Sequence, residues 1–505
     1  MTEQLAKRFA ELPEYLGGHI LLSAAAMAAG LAVSLPIGIL ASRRPKLAEV
    51  TLGFAGVVQT VPSLALLALM VPLLGGRIGF VPSFIALTLY SILPILANTI
   101  IGIKEVDPAL TEAARGLGMS GQQMLFRVQL PLAAPVIIGG IRTATVLVVG
   151  TATLSTEIGQ MTLGNYIFQG LDTRNHLATV FGCVCAALLA LALDQLIHLY
   201  ELSAQRHNRT LAFFGTAGLV VVLAAGLYVP LSQFFAHRDN VVVVGSGPFT
   251  EQHILSDVLA TRLRASGFAV EQKKGMGETI QFEALKEGTI DCYVDYSGNI
   301  WVEVMKRTDT PDRRTVLEEL TRYLHDTHGV SCLGSLGFED AYALAMKRGR
   351  ARNLSIRTIG DLASHNRKWK IGGDNMFFTR PEWDKIRATY GLKSTTTLPM
   401  NPTLMYSALD EGTVDVISAY TSDGRIQALD LVILSDDKQV FPPYDAVLLI
   451  SPKAVDKAGF VEALKPLIGS IKLEVMQEAN GLVDQHQQEP SAAAKWLTEK
   501  MAKKE

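Results

Sequence analysis

Few residues in this sequence are arranged for covalent chemistry. The ten histidines are scattered, and no His/Cys set has the spacing of metal ligands. There is no GxSxG elbow for a nucleophilic serine and no GxxxxGK[ST] loop to cradle phosphate, so an enzyme reading has nothing to rest on. Energy from ATP would have to come through another polypeptide. Of the four cysteines, Cys183 and Cys185 fall inside an apolar run, where CVC reads as packing. Cys292 and Cys332 fall in a hydrophilic stretch, as a disulfide if that stretch is outside the cell or as two free buried thiols. Arg142 and Asp194 lie in or beside apolar runs. They read as helix-end charges near lipid headgroups, the alternative being a charged translocation site. What remains is non-covalent chemistry: a polar segment at 112–131, EAARGLGMSGQQMLFRVQLP, between two apolar runs, and the 13 tyrosines.

The elements that must position these residues divide the chain in two. At 505 residues it is long enough for two or more domains, and a 49% hydrophobic content with mean hydropathy +0.26 is high for a soluble protein. The long apolar runs end before about residue 236. A bilayer core needs roughly 20 apolar residues per helix, and six runs qualify: 18–41, 50–74, 79–102, 132–156, 177–200 and 210–235. The start of the first run is too long and too acidic for the leading part of a signal peptide. Arg43, Arg44 and Lys46 follow the first span, Lys104, Arg115 and Arg127 the third, and Arg206 and Arg209 the fifth. The alternate links carry only Arg77 and Arg174. Lys7 and Arg8 are a weak contrary signal, but the positive-inside rule places the richer links in the cytoplasm and everything after about residue 238 outside it. A formal net charge of −2 makes no case for nucleic acid.

From residue 241 strands and helices alternate. VVVVGS, FAVEQK, IDCYVDY, YALAMK, WKIGGD, VDVISAY, LVILSDD and DAVLLIS read as strands, with helical patterns such as EQHILSDVLATRLRASG between them. That alternation predicts α/β lobes with largely parallel sheets, and about 265 residues is enough for two.

The segment 104–131 carries too many charges to lie in hydrocarbon. Pro108 opens a short helix that Gly116 and Gly118 weaken or end, and a second amphipathic turn runs to Pro131. Its spacing, EAA at 112–114, Gly118, Val128 and Leu130–Pro131, resembles the EAA loop of binding-protein-dependent ABC importer permeases, with Val where Ile is usual. VVQTVPSLALLALMVPLLG (57–75), SILPILANTIIGI (91–103) and GIRTATVLVVGTATLSTEIG (140–159) are similar to permeases of the osmoprotectant group, apart from Ala97, where that family usually has Arg. The resemblance implies that Glu112, Ala113, Ala114 and Gly118 couple the chain to a separate ATPase subunit. Small residues on such a helix allow close backbone approach.

GSGPFTEQHIL (245–255), EALKEGTIDCYVDYSG (283–298), AYTSDGRI (419–426) and FPPYDA (441–446) resemble the substrate-binding proteins of the same importers. Together the two resemblances cover nearly the whole chain. They imply an all-α polytopic membrane domain of the MetI-like permease type over 1–205, a sixth span and linker over 206–238, and a two-lobed type II periplasmic-binding-protein domain over 239–505. The first lobe would comprise 240–340 and 441–505, the second 341–440. Ligands of this group carry a trimethylammonium, which donates no hydrogen bond and is held by ring faces within about 6 Å. The matched neighbourhoods supply Tyr342, Tyr420 with Thr421, and Tyr444 for such a cage, then Phe249, Tyr296 and Ser297. Asn401 would contact a carboxylate or hydroxyl, and Asp295 and Asp340 would balance the cation. Tyr293 and Tyr406 read as core. The departures are GSGP for GSKx at Gly247, YVDYSGN for YPEYTGT, Asp340 for Asn, and no counterpart of one further cage aromatic over 305–320.

These features imply a permease fused to a binding protein, set in a bacterial plasma (inner) membrane with the binding domain extracytoplasmic. Two copies would pair around the pathway, ATP would bind only the partner subunit, and no cofactor or metal would be held here. The cargo would be glycine betaine, choline, carnitine or a related osmoprotectant, with ergothioneine, a betaine bearing a thioimidazole ring, or an amino acid as alternatives. A membrane-tethered chemoreceptor would need a cytoplasmic output domain or coiled coil, which the sequence lacks.

Overall fold

A computed structural model describes residues 2–173, 175–235, 241–365, 367–392, 395–400 and 402–502. Two compact units divide the chain, the first built mainly from residues up to 239 and the second mainly from residue 240 onward. Arg174 and Asn401 lie outside the described residues.

The first unit is helical. Five helices are long and apolar enough to cross a bilayer: Arg8–Ser42, Phe80–Lys104, Gly121–Ile158, His176–Arg206 and Arg209–Tyr228. The run expected as one span at 50–74 is instead a pair, Pro45–Thr60 and Ser63–Leu73, bent by 98° at the break. Pro62 is the cause, because it cannot donate the helical hydrogen bond and pushes Val61 out of the helical region. The Val61 carbonyl freed by the break accepts the Tyr90 hydroxyl, as a backbone acceptor in an apolar setting requires.

Small residues let these helices approach closely. A Cβ on Gly30 would lie 1.9 Å from Ser91 Oγ, and one on Gly140 would lie 2.5 Å from Asn98 Cβ. Arg142 and Asp194 do not sit at helix ends. Arg142 lies midway along Leu130–Ala152 and its guanidinium makes a two-pronged contact with Asp194 on His176–Arg206, 2.9 Å on each side. Glu201 at 2.7 Å and His198 at 3.0 Å complete the set. Pairing across two helices takes the place of a headgroup as the answer to a charge among apolar residues.

The second unit holds two five-stranded sheets. The strands are β1 (Val241–Gly245), β2 (Ala269–Lys273), β3 (Cys292–Tyr296), β4 (Ser331–Glu339), β5 (Tyr342–Lys347), β6 (Lys370–Gly373), β7 (Thr396–Pro399), β8 (Val416–Tyr420), β9 (Leu431–Leu434) and β10 (Asp445–Ile450). The first sheet has the order β2-β1-β3-β10-β4 and the second β7-β6-β8-β5-β9. Neither is largely parallel as expected. β10 runs antiparallel to β3 and β4, and β5 runs antiparallel to β8 and β9. The reason is topological: the chain passes from the first sheet to the second between β4 and β5 and returns between β9 and β10. Strands that enter a lobe at the crossover run against those built by strand–helix–strand units.

The same arrangement settles the cysteines. Cys292 on β3 and Cys332 on β4 flank β10, paired with Ile450 and Leu449 respectively. Two strand spacings, about 9–10 Å, exceed the reach of a disulfide, and all four cysteines are free.

Candidate functional site: a ring cluster between two lobes

The carboxyl-terminal ends of strands and the crossovers bring five aromatic rings together, where open α/β sheets present ligand sites. Tyr342 opens β5 and Tyr420 closes β8, and the two are direct partners in the antiparallel register. Their ring centroids are 4.8 Å apart and the Tyr420 hydroxyl donates to that of Tyr342 at 3.1 Å. Tyr444, just before β10, meets Tyr342 edge-on at 5.6 Å. Phe249 caps the helix Thr250–Ala265 and lies 5.8 Å from Tyr420. Phe377, on the short helix Asn375–Thr379 after β6, lies 5.5 Å from Tyr342. Phe249 and Tyr444 belong to the first lobe, Tyr342, Tyr420 and Phe377 to the second.

A cation already rests on these rings. The guanidinium of Arg380 stands 5.0 Å from the Tyr342 centroid and 5.9 Å from that of Tyr444. It donates to the Tyr444 hydroxyl at 2.9 Å and pairs with Glu303 at 2.8 Å and Glu382 at 3.2 Å. Such contacts draw a cation to the negative ring faces.

The other expected site residues make hydrogen bonds within the chain around the rings. The Ser297 hydroxyl donates to the Pro443 carbonyl and accepts from the Asp445 N–H, both at 2.8 Å, and so fixes the turn that carries Tyr444. Thr421 accepts from the Ala341 N–H at 2.9 Å, tying β8 to the crossover. Tyr296 donates its hydroxyl to Glu251 at 2.5 Å. Asp295 accepts from the Tyr293 hydroxyl at 2.5 Å and the Tyr296 N–H at 2.7 Å; burial holds its carboxyl above the ordinary range. Asp340 accepts from Ser422, Oγ at 2.7 Å, while its own N–H donates to the Tyr444 carbonyl at 2.9 Å. Tyr293 and Tyr406 are core, 1% and 2% exposed.

Two glycines in the motifs have a steric reason, Gly247 at a departure and Gly298 where the motif also has glycine. A Cβ on Gly247 would lie 1.9 Å from Gln252 Oε1, so the amide of Gln252 fills the space of a side chain there. A Cβ on Gly298 would lie 2.5 Å from the Tyr444 ring, which packs flat on that backbone. The residues missed in the sequence are Phe377, Arg380 and Glu251. Phe377 and Arg380 lie in DNMFFTRPEW, directly after the strand WKIGGD, and an aromatic pair at that strand end was the available signal.

In the first unit, Asp107 caps the helix Pro108–Gly116 by accepting from Ala109 N–H at 2.8 Å. Gly118 follows with φ +78°, and Ser120 and Gln123 form a reciprocal cap on the next turn. Glu112, Ala113 and Gly118 are exposed, Ala114 is buried, and Leu117 is 79% exposed.

A membrane-spanning helical unit with an EAA segment, followed by two lobes that meet over aromatic rings, defines an ABC import permease joined to its binding protein. The chain belongs to the osmoprotectant ABC importer family, as a fused permease and substrate-binding domain. Residues 240–499 match the substrate binding domain of ABC-type glycine betaine transport systems, and 34–206 match the inner membrane component of binding-protein-dependent transport systems. The ergothioneine transport permease/ergothioneine binding protein EgtU of Helicobacter pylori (strain G27) is 30% identical over 483 residues, covering 92% of this chain and 86% of that protein. The glycine betaine/carnitine/choline transport system permease OpuCB of Bacillus subtilis (strain 168) is 42% identical over 191 residues, 38% of this chain and 87% of that protein. A crystal structure of a glycine betaine/carnitine/choline ABC transporter protein aligns over 51% of this chain and 98% of its own, at 26% identity and TM-score 0.48.

Proposed function

We propose that this chain captures a quaternary ammonium compound outside the cell and passes it through the membrane, driven by a separate ATPase subunit. The observation that carries the ligand class is the cluster of Phe249, Tyr342, Phe377, Tyr420 and Tyr444 with a guanidinium on its faces. A trimethylammonium has no N–H to donate, so ring faces are the means of holding it. The rings touch one another at 4.8–5.8 Å. A ligand therefore enters when the lobes part and is enclosed when they close, a hinge motion. Glycine betaine, choline and carnitine fit this chemistry. Ergothioneine is the second reading, favoured by EgtU, a relative that spans both parts of this chain.

The basic links of the helical unit support an extracytoplasmic binding domain. The exposed EAA helix with Leu117 is the surface on which the ATPase pushes, and two copies of the chain pair around the pathway. ATP is bound by the partner, and this chain needs no cofactor of its own.

The test is calorimetry of the full-length chain in lipid nanodiscs with glycine betaine, choline, carnitine, proline betaine and ergothioneine, against amino acids with a primary ammonium. Binding of at least one methylated ligand is expected. No binding to any of them, or tighter binding of an amino acid, overturns the reading.

A further inference from the structure

One buried carboxylate oxygen beside the rings is left without a donor. Glu382 stands in the first turn of the helix Pro381–Tyr390, two residues after Arg380, and is 5% exposed. Its Oε1 accepts from the Tyr444 hydroxyl at 2.8 Å and from Arg380, Nη2 at 3.2 Å and Nε at 3.3 Å. Its Oε2 is equally buried and has no hydrogen-bond partner among the described residues. One oxygen carries three donors and the other carries none.

The groups around Glu382 are already committed. All three guanidinium nitrogens of Arg380 are engaged: Nε on Glu382, Nη2 on Glu382 and on the Tyr444 hydroxyl, and Nη1 on Glu303 at 2.8 Å and Asn299 at 3.3 Å. The single proton of the Tyr444 hydroxyl goes to Oε1. Charge is uneven as well, since one guanidinium faces two carboxylates, Glu303 and Glu382. A buried charged acceptor without a donor is costly, and folded proteins satisfy nearly all such groups. Tyr444 ties this one to the cage: its ring meets Tyr342 edge-on at 5.6 Å while its hydroxyl holds Glu382. A molecule resting on the rings is therefore one hydroxyl away from the bare carboxylate oxygen.

We propose that Glu382 Oε2 accepts a hydrogen bond from the ligand, so that the cargo carries an N–H or O–H donor besides its methylated cation. This rests on the methylated cation proposed above and narrows it. Choline and carnitine bear a hydroxyl, and ergothioneine a ring N–H. Glycine betaine and proline betaine have neither at neutral pH and leave the oxygen unpaired. A site with a buried acceptor rejects a molecule that lacks the matching donor, because the acceptor's lost hydration is then not replaced.

The test is calorimetry on the full-length chain in nanodiscs with paired ligands. Carnitine is set against γ-butyrobetaine, which lacks only its hydroxyl, choline against its methyl ether, and ergothioneine against glycine betaine. The donor-bearing ligand that binds best should exceed its donor-free counterpart by about tenfold or more. Glu382→Gln keeps one oxygen for Arg380 and Tyr444 and presents an amide N–H₂ in place of the acceptor. It should bring that ratio close to one, chiefly by weakening the donor-bearing ligand, whereas a role in charge or folding alone weakens both ligands and leaves the ratio. Glycine betaine or proline betaine binding wild type as tightly as any donor-bearing ligand means that water serves this oxygen. That result overturns the proposal and leaves the ring cage standing, and it needs no variant. No binding by any methylated ligand overturns both readings. A Glu382→Gln chain that folds and keeps the wild-type ratio takes the role away from Glu382.

Discussion

Tyr342 and Tyr420 are register partners across β5 and β8, joined hydroxyl to hydroxyl at 3.1 Å with their rings 4.8 Å apart. The strand pairing delivers both rings to one place, and the hydroxyl contact sets their relative tilt of 42°. Removing a ring and removing a hydroxyl should therefore have different consequences. A desolvated cation–ring contact contributes about 2 kcal/mol and a neutral hydrogen bond about 1 kcal/mol. Tyr420→Ala is expected to weaken ligand binding by roughly 10-fold or more, and Tyr420→Phe by about fivefold or less. Calorimetry with whichever methylated ligand binds best checks both. Equal losses for the two variants would remove the ring face from the site.

The ring cluster was legible in the sequence where motif residues sit at element ends: Tyr342 and Tyr420 end strands, Tyr444 precedes β10 and Phe249 caps a helix. It was not legible where two lobes meet. Arg380 reaches the Tyr444 hydroxyl from the other lobe, which no local pattern encodes, Phe377 carried only the faint signal of an aromatic pair after β6, and Glu251 reads as an ordinary first-turn helix residue. The same holds for the fold. β4 went unread because Gly334 and Gly337, at φ +133° and +110°, interrupt its alternation, and β7 is four residues long and ends on Pro399. The antiparallel direction of β5 and β10 follows from the order in which the chain visits the two sheets. The bend at Pro62 was readable in principle, since proline weakens a helix locally whatever surrounds it.

Asp295 gives a pH-dependent stability. Its folded carboxyl lies above its unfolded value because burial disfavours the charge. Between the unfolded value, about 4, and the raised folded value the native state holds more protons than the unfolded state, so this group's contribution to stability falls as pH rises. Asp295→Asn cannot ionise and still offers an oxygen to the Tyr296 N–H. The melting temperature of the variant relative to wild type should therefore increase from pH 4 to pH 8. A difference that is constant or shrinks over that range would contradict the assignment.

In the membrane unit, Arg142 and Asp194 form a partly exposed pair on facing helices, with side chains 26% and 17% accessible. Deleting Arg142 leaves Asp194 without its guanidinium, and deleting Asp194 leaves Arg142 with Glu201 as its carboxylate, whereas deleting both removes the two-pronged contact as a whole. Arg142→Ala and Asp194→Ala are each expected to destabilise by about 2 kcal/mol, less than a fully buried pair because of the accessibility. The double variant should cost less than the sum, with a coupling of roughly 1–2 kcal/mol. Thermal denaturation of the full-length chain in detergent gives the cycle. Additive losses would mean that the pair is not coupled.

Gly118 separates what the loop does from what the binding domain does. It sits at φ +78°, just past the helix Pro108–Gly116, and a Cβ there would meet nothing within 4 Å. Alanine is thus opposed by backbone strain alone, about 1 kcal/mol, and tryptophan adds bulk on a face that is open in this chain. If that face receives the ATPase, Gly118→Ala should lower ligand-stimulated ATP hydrolysis and uptake severalfold, and Gly118→Trp should abolish both. Ligand affinity should remain within about twofold of wild type, because the substitution lies in the helical unit and touches none of the rings. Uptake assayed in proteoliposomes with the ATPase present, beside calorimetry on the same preparations, separates the two functions. Full uptake by Gly118→Trp would take the coupling role away from this segment.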